Sequence, residues 1–218
     1  MASDTSAITN LLKRERYHRD TGQWALCRGA YHPDPEQTFI DVSWFQGNVD
    51  AFLQRSAQIH PGRVNVVHSA FDPVDIRIHG RRATSEAFCL ITSGITLDGV
   101  DYELASYLRL VARLQKLSDT DTNTAKETAK HAGWRIVRLE AIYVRDRLVS
   151  CFPGTAATPL AMPDEVRAYP RPYRHMAFVM INRGLAPRVD LPHEEDQDSV
   201  RRVLEGNAAF LEGADDEA

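Results

Sequence analysis

The stretch "DYELASYLRLVARLQKL", residues 101–117, decides the fold. Taken at alternate positions, Tyr107, Arg109, Val111 and Arg113 share one face, and Leu108, Leu110, Ala112 and Leu114 share the other. This is a long strand with one apolar face for a core. Asp98-Gly99 just before it is a strong turn signal, and "ATSEAFCLITSGITL" at 83–97 reads as the preceding long strand. "GWRIVRLEAIYVRDRLVSCF", 133–152, is the last long strand. The polar segment 118–132 between them lacks apolar periodicity and reads as an exposed hairpin loop.

Upstream, the period of two begins near residue 64 with "VNVVHSAFDPVDIRIHG", which ends in a turn at His79-Gly80. Before that the pattern is helical. Ile8, Leu11, Leu12 and Tyr17 mark a first helix over 5–19, with Thr5 or Ser6 as its cap, and Thr21-Gly22 breaks it. "QWALCRGAY" reads as a short second helix, "HPDPEQ" as a turn, and 38–43 as a short strand with Asp41 on it, and Trp44 is placed on that strand after Asp41. Asn48 caps a third helix with a stripe of Val49, Phe52, Leu53 and Ile59. Helices followed by long antiparallel strands make an α+β fold. The expected form is a strongly curved antiparallel sheet, a cone-shaped half-barrel closed by the N-terminal helices and enclosing an apolar pocket.

Residues 153–172 carry five of the eleven prolines and read as an extended wrapping segment. Two helices follow, in "PYRHMAFVMINRG", stopping at Gly184, and in "DQDSVRRVLEGNAAFL". The tail "EGADDEA" reads as disordered. The expected organisation is a cone-shaped domain over 5–152, then a wrapping segment with C-terminal helices over 153–218.

Composition is that of an ordinary globular chain, 43% hydrophobic and 26% charged, with a formal net charge of −4. That balance gives no footprint for nucleic acid. There is no signal-peptide core and no apolar run long enough to span a membrane. Three widely spaced cysteines fit a reducing compartment, so a soluble cytoplasmic protein is expected. No HxxxH, HxH, phosphate loop or nucleophile elbow is present, so neither a metal nor another cofactor is expected.

The segments "ITNLLKRERYHRDTGQWALCRGAYHPD", His68, "DIRIHGRRATSE", "DYELASYLRLVARLQ" and "GWRIVRLEAIY" together resemble the SnoaL-like group of the nuclear-transport-factor-2-like superfamily. The resemblance spans about residues 5–150. That superfamily includes scytalone dehydratase, lindane dehydrochlorinase, ketosteroid isomerase and polyketide cyclases, and also domains with no chemistry. By this resemblance, Asp20 at the end of the first helix and His68 on the first long strand match a catalytic pair. Scytalone dehydratase has a tyrosine before its aspartate, where this chain has Arg19. The resemblance also implies a homo-oligomer, dimer or trimer.

Such a pair suits cofactor-independent proton transfer. A carboxylate on one imidazole nitrogen fixes the tautomer, and the other nitrogen takes a proton beside a carbonyl. Loss of water or halide from the next carbon completes an elimination. The implied activity is a dehydratase-type lyase on a small cyclic or polyketide-like compound. An isomerase or cyclase using the same pair, or a non-catalytic binding or assembly domain, are the alternatives. Other readings exist for each candidate. His68 also fits a buried histidine satisfied by a carbonyl, and Asp20 a helix-end carboxylate. Tyr17, three residues before Asp20, fits a substrate contact or the core. Trp44 and Phe88 are candidate cavity walls. Tyr107 and Arg109 face either the pocket or the outer sheet surface, and periodicity does not choose between them.

Overall fold

The computed structural model describes residues 3–60, 64–118, 133–152, 154 and 160–213. The expected hairpin loop over 118–132 lies outside them apart from Ser118, as does most of the expected disordered tail. Three helices lead: α1 (Asp4–Asp20), α2 (Trp24–Arg28) and, after a short hairpin, α3 (Val49–Ile59). The hairpin strands are β1 (Phe39–Val42) and β2 (Phe45–Gly47). Then come β3 (Val66–Ala70), β4 (Asp75–His79), β5 (Arg82–Leu97), β6 (Val100–Leu117) and β7 (Gly133–Ser150). The chain ends in α4 (Asp164–Arg167), α5 (Arg174–Asn182) and α6 (Gln197–Leu211).

The long strands form as expected. Asp98 and Gly99 both take positive φ, 49° and 76°, and so close a two-residue turn between β5 and β6. Pairing then runs without a break from Arg82↔Gln115 to Leu97↔Val100. The sheet order is β2-β1-β7-β6-β5-β3, with β4 also pairing β5. It is a curved, unclosed sheet with helices, an α+β cone. Three expectations change. β1 runs parallel to β7, so the sheet is not purely antiparallel. Trp44 sits in the turn between β1 and β2, not on a strand. The cap of α1 is Ser3, whose hydroxyl accepts from the Ser6 N–H, so the helix starts earlier than Thr5 or Ser6 would place it. The cap of α3 is Asn48, as read.

Register assigns the faces. Leu104 and Leu108 on β6 pair with Ser93 and Cys89 on β5, and His68 and Val66 on β3 pair with Ile91 and Ser93. These positions look into the concave side. Under its N-terminal end, α1, α2 and α3 bury Ile8, Cys27, Val49 and Phe52 against Leu114, Trp134 and Ile136. At the other end, Tyr173, Met176 and Val179 pack on Leu104, Leu108 and Tyr143. The C-terminal segment therefore supplies concave-face core. On the convex side, Val200 and Val203 of α6 cover Val111 and Ile142.

Asp146 on β7 anchors α5, accepting from the Met176 N–H at 2.7 Å and pairing with His175 Nδ1 at 2.6 Å. Burial of Met176 and Val179 contributes about 1.5–3 kcal/mol each. Apolar packing and the buried Asp146 contact together hold α5 in place.

Candidate active site

α1 ends where Gly22 adopts φ +69°, which makes Asp20 its last residue. The Asp20 side chain crosses to β3. Its Oδ1 lies 2.8 Å from His68 Nδ1, and its Oδ2 accepts the His68 backbone N–H at 2.6 Å. Arg19 Nη1 donates to the same Oδ1 at 3.2 Å. Burial pushes the Asp20 carboxyl up, but the hydrogen bonds from the His68 ring and backbone, with the Arg19 charge beside them, outweigh it and hold the group below the ordinary carboxylate value. For His68, burial and the Arg19 charge lower the pKa to about 4 against the opposing pull of Asp20. At neutral pH the pair is a carboxylate and a neutral imidazole. The Nδ1–H donates to Asp20, and Nε2 keeps its lone pair.

His68 lines a cavity of about 120 Å³ on the concave side. Its walls are largely apolar and include Trp44, Phe52, Leu108, Met176 and Met180. With Nδ1 held by Asp20, the ring edge left for a ligand is Nε2. Trp44 stacks on Phe52 at 5.5 Å, with the rings 25° from parallel. Tyr143 also lines the cavity. Its hydroxyl oxygen accepts the Ser43 N–H at 3.1 Å, and burial pushes its pKa up to about 12, so it stays a neutral O–H donor.

Among the substrate-contact candidates, Trp44 lines the inner cavity with His68; the others lie outside that cavity. Tyr17 is 62% exposed and lies outside the inner cavity, in a second, more open depression of about 350 Å³ that Asp20 and His68 also line. Phe88 pairs directly with Arg109 on the convex face and is 52% exposed. Arg109 is engaged there by Glu86 and Glu194, both at 2.7 Å. Tyr107 carries the Arg145 guanidinium 4.6 Å above its ring. The reason is burial: the leucine face of β6 is the one that covers the cavity, which turns Tyr107 and Arg109 to the opposite side.

Sequence reasoning missed a buried polar cluster on α1. Glu15 takes a two-pronged contact from Arg16, the Tyr31 hydroxyl at 2.8 Å and the Cys27 thiol at 3.4 Å. The signal was present, because Ile8, Leu12, Glu15 and Arg19 fall on one helical stripe at spacings of four, three and four. Arg16, Arg19 and, from beyond α5, Arg183 all line the cavity. Among the described residues, no cluster of three or more His, Cys, Asp or Glu side chains could hold a metal ion. No helix among them is long and apolar enough to cross a membrane.

The chain belongs to the SnoaL-like domain family, whose model matches residues 1–140. Similar solved structures include a nuclear transport factor 2-like superfamily protein from Salmonella enterica, at 16% identity and TM-score 0.48 over 71% of this chain and 96% of that one. A candidate scytalone dehydratase from Novosphingobium aromaticivorans is 16% identical, with TM-score 0.47 over 73% of this chain and 94% of that one. A candidate ketosteroid isomerase from Shewanella frigidimarina is 13% identical, with TM-score 0.44 over 64% and 94%. No curated protein matches the chain significantly.

Proposed function

We propose that the protein is a cofactor-independent lyase of dehydratase type, acting on a small cyclic or polyketide-like compound. One observation carries this reading. The Asp20–His68 contact of 2.8 Å leaves a neutral imidazole at the wall of an apolar cavity. In the proposed reaction Nε2 takes a proton from the carbon beside a substrate carbonyl. The Tyr143 O–H, already neutral and oriented by Ser43, donates to the carbonyl oxygen as charge develops there. The C–H electrons form the new double bond, the neighbouring C–O bond breaks, and the imidazolium returns its proton to the departing hydroxide as water. Asp20 stabilises the imidazolium in between. Proton transfer by a positioned group of this kind is worth about 10²–10⁴ in rate.

An isomerase or cyclase would use the same first step and return the proton elsewhere. The α5 segment belongs to the same unit in this reading, because Met176, Val179 and Met180 wall the cavity. The test is incubation with a panel of cyclic β-hydroxy ketones in D2O, followed by proton NMR. Deuterium entry at the α-carbon with loss of water, both abolished in His68→Ala, is the expected result. Exchange without water loss would point to the isomerase reading. No exchange with any member of the panel, or equal exchange in His68→Ala, would remove the acid–base reading.

A further inference from the structure

The inner cavity is lined by three guanidinium groups, Arg16, Arg19 and Arg183, and by no carboxylate side chain among the described residues. Arg16 is matched by Glu15 directly behind it. The two remaining arginines stand at one place. Arg19 and Arg183, with Ile59, Val66 and Leu185, line both the inner cavity and an outer cleft of about 510 Å³, and so form the neck between them.

Neither neck arginine is fully used by the protein. Arg19 donates from Nη1 to Asp20, a carboxylate already engaged twice by His68, and its Nε is buried without a hydrogen-bond partner. Arg183 is exposed at the rim, and its Nη2 is fixed by two neutral acceptors, Ser93 Oγ at 2.7 Å and Gly94 O at 2.6 Å. Burial and the neighbouring Arg16 charge lower the pKa of Arg19, and partial burial of its guanidinium lowers that of Arg183. With Arg16 cancelled by Glu15 and His68 neutral, Arg19 and Arg183 against Asp20 leave one net positive charge. A buried or half-buried guanidinium in that state gains most from a planar anion that accepts two parallel hydrogen bonds.

We propose that Arg19 and Arg183 form a carboxylate-binding neck, and that the substrate is a small ring acid whose carboxylate sits between them while its ring fills the apolar cavity. This names the substrate class of the Asp20–His68 site and rests on that reading for its location alone. Arg183 follows α5, beyond the residues matched by the family model.

Binding tests it apart from catalysis. The full-length protein is titrated with benzoate and with benzamide, its neutral isostere, at pH 7.5 by ligand-observed NMR. Benzoate is expected to bind at least about tenfold tighter, since a charge-assisted pair is worth roughly 1.5–3 kcal/mol. Arg183→Gln should bring the ratio below about threefold with benzamide binding kept. His68→Ala should keep the benzoate preference while it removes proton transfer, so either proposal can fail alone. Equal affinities in the wild type, no benzoate binding, or an unchanged ratio in Arg183→Gln overturns the carboxylate neck. The wild-type comparison decides even if the variant fails to fold.

Discussion

The Asp20 carboxylate takes two hydrogen bonds from one residue, the ring and the backbone N–H of His68. The same side chain therefore orients the imidazole and ties α1 to β3. The two roles separate by substitution. His68→Gln keeps the backbone N–H contact and should cost about 1 kcal/mol or less in stability. It should reduce kcat/KM by about 10²–10⁴. Asp20→Ala removes both bonds, leaves the His68 donors without their acceptor, and should cost about 2–4 kcal/mol. Urea midpoints on the two variants check this, and equal destabilisation would contradict the double role.

His68 also gives a pH dependence of definite sign. Its folded pKa of about 4 lies below the ordinary 6.5. Between those values the unfolded chain binds a proton that the folded chain does not. Stability should be full above pH 6.5 and fall as the pH drops toward 4, by roughly 1–3 kcal/mol. His68→Gln should flatten that slope in urea titrations. By the same logic the acid limb of kcat/KM should fall near pH 4 and not near 6.5.

Tyr143 offers a hydroxyl whose oxygen is fixed by Ser43 and whose proton is kept by burial. Tyr143→Phe preserves the packing against Tyr173 and deletes the donor. A loss of about a hundredfold in kcat, with KM changed less than threefold, is the result expected for an oxyanion donor. A change confined to KM would assign Tyr143 to ground-state binding.

Glu15 is 1% exposed and holds Arg16, Tyr31 and Cys27 at once. Breaking one side of a buried charge pair leaves the other uncompensated and costs about 3–5 kcal/mol. Glu15→Gln should therefore be among the most destabilising polar substitutions in the chain, read as a lowered urea midpoint. Arg109→Gln, on the convex face, should leave turnover unchanged.

Local chemistry made much of this legible from residues alone. Asn48 as a cap, Asp98-Gly99 as a turn and Gly184 as a helix stop are each dictated by a neighbour or two. The concave and convex sides of β6 were not legible, because a period of two defines two faces without ranking them. Only the packing of α3 and α5 against the leucine face ranks them. The parallel pairing of β1 with β7 joins residues about a hundred positions apart and has no local signature. Asp20 and His68 were found through family likeness, while Tyr143 and Arg183 enter the cavity through long-range contacts that no spacing rule encodes.

β3 is a five-residue strand at the end of the sheet order, and its outward N–H at His68 is one that a neighbouring chain could otherwise pair with. Asp20 occupies that donor. The carboxylate that orients the imidazole is thus also a plug on an open sheet edge. An Asp20→Ala preparation would expose a sticky edge as well as a disabled imidazole, and its solubility would decline together with its turnover.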